Sequence, residues 1–166
     1  MRADAVLLGL LLSADLAFMV VHVVHVSTGY LSNPLNSLER DRGYAEFFQY
    51  TKLYWSVLLT GVLVVRHRAL VHVGWLAGFA YLLADDAFSI HETGGAHAVA
   101  ALGLGPAFGL RAKDLGELIV TAIAGTAVLA ILGLGYWRSD DGGRALSRRL
   151  FGLLIALAFC GVVVDV

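Results

Sequence analysis

Residues 114–137 read DLGELIVTAIAGTAVLAILGLGYW, and this stretch decides the fold class. Its charges, Asp114 and Glu117, stand at the start, and only apolar or small residues follow until Arg138. About 20 such residues cross the roughly 30 Å of bilayer hydrocarbon as a helix. A membrane strand would alternate polar and apolar residues, and this stretch does not. Asp114 stands at a plausible N-cap and Arg138 stops the run.

Four further blocks share this character, at about 5–26, 44–65, 70–91 and 147–166. The first follows Arg2 and continues through Ala17-Phe-Met-Val-Val, too long for a signal-peptide core, so it reads as a retained helix. Thr28, Gly29 and the NPLNS stretch at 33–37 break it. The second stops at Arg66-His-Arg, and the third at Thr93-Gly-Gly. Gly94 to Lys113 is rich in Gly and Ala and only mildly apolar, suited to a short interfacial or re-entrant helix rather than a span. The expectation is an all-α integral membrane bundle of five transmembrane helices in one domain, residues 1–166.

Composition agrees. Hydrophobic residues are 58% of the chain and charged residues 15%, where a soluble surface needs about 25%. Net charge is -1, so nothing speaks for nucleic acid. The lone Cys160 permits no intrachain disulfide and reads as a buried structural thiol. Arg2, Arg66, Arg68, Arg138, Arg144, Arg148 and Arg149 fall on one side, against Arg40, Arg42, Arg111 and Lys113 on the other. The positive-inside rule then gives N-in, C-out. A last block still apolar at Val164-Asp165-Val166 implies either a helix that ends just inside the headgroups or a natural chain that continues.

The ionisable residues converge on the outer side. His22 and His25 end the first helix, and Glu46, Gln49, Tyr50 and Lys52 begin the second. Asp85, Asp86, His91 and Glu92 end the third, Asp114 and Glu117 begin the fourth, and Asp165 ends the fifth. Asp15 and His22, seven apart, share a helix face with His25 close by. Glu46, Gln49 and Tyr50 form a second stripe, Asp85, Ser89 and Glu92 a third. His91 joins Asp85 only if the helix unwinds near Gly94 and Gly95. Charged side chains in a bilayer cost several kcal/mol and face a bundle interior or wet cavity. A His/carboxylate pocket in the outer leaflet is expected, built around Asp85, Asp86, Glu92 and Glu117.

Each residue also has a plainer reading. Asp114, Glu46 and Lys52 suit solvated helix ends, and Lys52 can neutralise a carboxylate in a structural ion-pair network. Asp15 can pair with a tyrosine or backbone amide.

Imidazole and carboxylate together suit a divalent zinc, iron or manganese ion held between helices. The expected metal ligands are His22, His25, Asp85, Asp86 and His91, with Glu92 or Glu117 as catalytic base for hydrolysis of a lipid or small amphiphile. His91-Glu92 does not complete HExxH, since the next histidine is His97. Six histidines are too few for desaturase boxes, nothing in the spacing favours a haem pair, Lys52 is too near a helix end for a retinal Schiff base, and the chain is too short for a seven-helix ceramidase-type hydrolase. A second function class is proton or cation translocation, since Asp, Glu and His chains mark such paths. Polar residues are missing from the inner halves of helices two to five, so oligomerisation would have to complete the path. A third is an accessory or sensor subunit whose polar cluster fixes helix packing.

The runs LERDRGYAEFFQYTK (38–52), LLADDAFSIHE (82–92) and AKDLGELIV (112–120) resemble those of small uncharacterised bacterial multi-pass membrane proteins. The resemblance extends from the first helix to Asp165 and takes in Asp85, Asp86, His91, Glu92 and Glu117. It implies a bacterial inner membrane location and a chain that continues past Asp165, and it leaves the activity open.

Overall fold

The computed structural model describes the backbone of residues 3–164 and the side chains of residues 5–156. Asp165, expected in the pocket, lies outside the described residues. The regular elements are helices: α1 Ala3–Thr28, a 3-10 turn at Pro34–Asn36, α2 Tyr44–His67, α3 Leu70–Phe88, α4 Ile90–Leu102, α5 Ala112–Arg138 and α6 Asp141–Val164. The all-α expectation holds, with six helices among the described residues instead of five. The chain divides into two compact units, Met1–Lys52 and Leu53–Val166, with the division inside α2.

In the first unit α1 ends where Gly29 takes φ +68°, a left-handed turn that costs glycine little. Its partly shielded positions include Leu11, Ala14, Asp15, Phe18, Val21, His22 and His25. Their spacing of three and four is a helix face, so the expected stripe of Asp15, His22 and His25 forms. The Phe18 and Phe48 rings meet at 5.5 Å, and Lys52 Nζ sits 5.0 Å from the Phe48 ring centre.

The second unit is built on α5, against which α3 and α4 both pack. Its fully apolar core is small: Val71, Trp75 and Leu132, flanked by Ala69, Phe79, Val128 and Leu150. Trp75 donates its indole N–H to Ser147 Oγ at 3.0 Å, tying α3 to α6. A Cβ on Gly74 would lie 2.8 Å from Leu132, and one on Gly135 would lie 2.5 Å from Val71 N. Small residues at these crossings let the helices approach closely. Much of the large apolar residue surface points outward instead, including Leu118, Ile123, Leu129 and Leu134 on α5.

By length and composition α1 (from Ala5) and α5 are each apolar enough to cross a membrane, and α3 and α4 together make a third candidate bent by 78°. Of the five expected spans, two or three thus stand as candidates by length and composition among the described residues. Gln49, Tyr50, Thr51, Lys52 and Ser56 make the first half of α2 too polar, and α6 runs into residues outside the description. The expected third helix, 70–91, is broken at Ser89. Its last residues start α4, which takes in the first part of the segment expected to hold a short interfacial or re-entrant helix.

Candidate functional site

The break at Ser89 creates the site. Ser89 is left-handed, φ 49° and ψ 49°, a conformation that costs a non-glycine residue about 1–2 kcal/mol. Asp85 holds both sides of the break. Its backbone carbonyl accepts the Ser89 N–H that ends α3. Its carboxylate then reaches past the bend to α4, where Oδ1 accepts the His91 backbone N–H at 2.8 Å and Oδ2 lies 2.9 Å from His91 Nδ1. The first N–H groups of a helix lack partners within it, and an anion at that end is favoured by both hydrogen bonding and the helix dipole. Ser89 O accepts from Thr93 N at 3.0 Å and completes the first turn.

This pairing fixes the imidazole. A carboxylate only accepts, so Nδ1 carries the proton and Nε2 is left as the exchangeable nitrogen. The Asp85 side chain is 14% exposed and that of His91 35%, so the carboxylate is shielded while the ring reaches the surface. One turn before Asp85, Tyr81 carries a buried hydroxyl near Asp85 and near Thr121 of α5, in hydrogen-bond geometry with neither.

Glu117 approaches from α5. A Cβ on Gly95 would lie 2.7 Å from Glu117 N, and one on Gly116 would lie 2.3 Å from Gly95 O. No side chain fits between these backbones, so α4 lies directly on the turn that carries Glu117. One Glu117 carboxylate oxygen is buried, with Lys113 Nζ at 3.3 Å as an ion pair outside hydrogen-bond geometry. Asp114 has a different task. It accepts the Arg111 backbone N–H at 3.1 Å, Nε at 3.0 Å and Nη2 at 2.8 Å. Arg111, rather than the expected Asp114, is therefore the N-cap of α5. The ion pair holds the exposed Arg111 guanidinium above its ordinary pKa.

The other expected residues separate by role. Glu92 lies exposed in the first turn of α4. Asp86 is partly buried and engaged in its own interaction. In the first unit Lys52 Nζ pairs with Asp15 at 2.7 Å, the structural neutralisation considered from sequence. Glu46 accepts from the Tyr50 hydroxyl and the Arg42 N–H, whereas Gln49 is exposed.

His22 and His25 fasten the loop after α1. His22 Nδ1 accepts the Leu38 N–H at 3.1 Å, while His25 Nδ1 donates to the Leu31 carbonyl. A neutral His22 that accepts at Nδ1 carries its proton on Nε2 and offers no second lone pair to a metal. Among the described residues no three His, Cys, Asp or Glu side chains converge where a metal ion could sit. Asp85 and His91 meet, but in the geometry of a proton-sharing pair.

The sequence reading named Asp85, His91 and Glu117, took Gly95 for a point of unwinding instead of a contact, and passed over Tyr81. Tyr81 was accessible, four residues before Asp85 and hence on the same face. A family model described as a domain of unknown function (DUF8692) matches residues 4–166. No curated protein matches the chain, and no solved structure does.

Proposed function

The chain belongs to the DUF8692 family, and from that premise we propose that it is an integral membrane protein whose α3–α4 bend is a proton-exchanging site serving proton or cation transfer. The observation that carries the reading is the 2.9 Å contact between Asp85 Oδ2 and His91 Nδ1 beside a helix break. An imidazole whose Nδ1–H is held by a carboxylate presents Nε2 to take up or release a proton. Tyr81 supplies a second exchangeable proton next to Asp85, and Glu117 a carboxylate at the α4–α5 contact. Interrupted helices with ionisable groups at the break are a recurrent arrangement in membrane proteins that move ions.

Membrane insertion is supported by the long apolar helices and by the outward leucines of α5. The asymmetry of Lys and Arg favours N-in and C-out, with the bacterial inner membrane as the setting. Oligomers would supply the remainder of a transmembrane path. The metal-dependent hydrolysis of an amphiphile has less support, because no three His, Cys, Asp or Glu side chains converge among the described residues and His22 Nδ1 is taken by Leu38. An accessory subunit remains the reading in which the same contacts only hold the bend.

The test is proton flux into liposomes that hold the purified protein and a trapped pH-sensitive dye, driven by a potassium diffusion potential. Wild type is expected to acidify the lumen faster than empty vesicles, and both Asp85→Asn and His91→Gln to return the rate to that of empty vesicles. Equal rates for wild type and empty vesicles would sink the proposal.

A further inference from the structure

At the opposite end of α5 a second feature stands apart from the bend. Tyr136 is nineteen residues beyond Glu117, about 28 Å along a helix. Here α3, α5 and α6 enclose an open groove of about 400 Å³, lined by apolar residues such as Leu129, Leu132, Phe151 and Ile155. Gly133 on α5 and Gly152 on α6 both line it, and an added Cβ at either would meet nothing within 4 Å. The groove is therefore room that larger residues would fill, in contrast to the tight contacts at Gly95 and Gly116.

Its rim is aromatic and basic. Trp137 is 79% exposed at the mouth, and Trp75 lies at the base with its N–H satisfied by Ser147. Arg148 donates Nη1 to the Tyr136 hydroxyl at 3.1 Å. Arg144 donates Nε to Tyr136 O at 3.3 Å and Nη2 to Trp137 O at 3.2 Å, with its guanidinium 5.9 Å from the Tyr136 ring centre. These contacts leave further guanidinium donors on both arginines. From 138 to 149 the chain carries Arg138, Arg144, Arg148 and Arg149 against Asp140 and Asp141. An apolar slot ending in Trp, Tyr and Arg matches an amphiphile with an acyl chain and an anionic head.

We propose that this groove binds an anionic phospholipid, with one acyl chain between α5 and α6 and the phosphate on Arg148 and Arg144. The site rests on the membrane reading but not on the proton chemistry, since it shares no residue with the bend. Charge complementarity favours this occupant: a zwitterionic lipid brings the same phosphate but no net charge to the arginines, and another apolar helix brings neither.

The experiment uses the full chain in vesicles with Trp55→Phe, leaving Trp75 and Trp137 as fluorescent reporters in the groove. Phosphatidylcholine vesicles receive either brominated phosphatidylglycerol or brominated phosphatidylcholine as quencher at equal mole fraction. An arginine at a lipid surface is worth about fivefold in affinity, so half-maximal quenching should need about fivefold less phosphatidylglycerol. Arg148→Gln removes the charge, and Gly152→Leu fills the groove while leaving every charge in place. Each should bring the two lipids level, with circular dichroism unchanged. Level quenching in wild type, or a preference that survives Gly152→Leu, would overturn the site. Absence of quenching by either lipid would overturn membrane insertion and the site with it. If Arg148→Gln fails to fold, Gly152→Leu decides alone.

Discussion

Asp85 grips His91 twice across the α3–α4 break, by backbone N–H at 2.8 Å and by imidazole Nδ1 at 2.9 Å. Two jobs thus fall on one carboxylate, closing a helix end and setting a ring. Substitutions can separate them. Asp85→Asn keeps an oxygen for the backbone bond and should cost about 1 kcal/mol, whereas Asp85→Ala leaves both partners unmet and should cost about 2–3 kcal/mol. Denaturant unfolding in detergent micelles, followed by circular dichroism, checks the order.

The α4–α5 contact should tolerate no methyl group. Gly116→Ala places a carbon 2.3 Å from Gly95 O and should destabilise by about 1–3 kcal/mol. Gly125→Ala, on the same helix with nothing within 4 Å of the new carbon, should stabilise by about 0.5–1 kcal/mol. Equal melting temperatures for the two variants would refute the packing.

The Lys52–Asp15 pair distinguishes lipid from water. Their side chains are 31% and 43% exposed, so in water a double-mutant cycle over Lys52→Met and Asp15→Asn would return no more than about 1 kcal/mol. In a bilayer an unpaired charge costs more, and the cycle should exceed that value.

His22 should matter to the loop rather than to any metal. His22→Ala removes the acceptor for Leu38 N, so trypsin should cut at Arg40 and Arg42 faster than in wild type. Unchanged cleavage would show that the loop holds without it.

The fate of individual residues shows what the sequence could reveal. Asp15, His22 and His25 were legible as one face because α1 is unbroken and its period of 3.6 runs true. The Asp85–His91 pair was not, since residues six apart lie on different faces of a continuous helix. The turn that unites them occurs at Ser89, with neither Gly nor Pro to mark it, while the glycines that drew attention, Gly94 and Gly95, lie inside α4. There Gly95 works as a contact surface: its meaning depends on Gly116, twenty-one residues away, and that distance is not readable from one chain. Two or three of the five expected spans stand by length and composition among the described residues, and apolar length alone does not register the polar first half of α2.

Backbone resting on backbone at Gly95 and Gly116 has a mechanical consequence. Rotamer changes cannot cushion the seam, so a slide of α5 past α4 must carry Glu117 with it or prise the seam apart. The spacing between Glu117 and the Asp85–His91 pair is thereby geared to the tilt of a long rod whose far end carries Tyr136 and Arg138. With α5 spanning a bilayer as proposed, a change in bilayer thickness that tilts it would reach the bend as a displacement of Glu117.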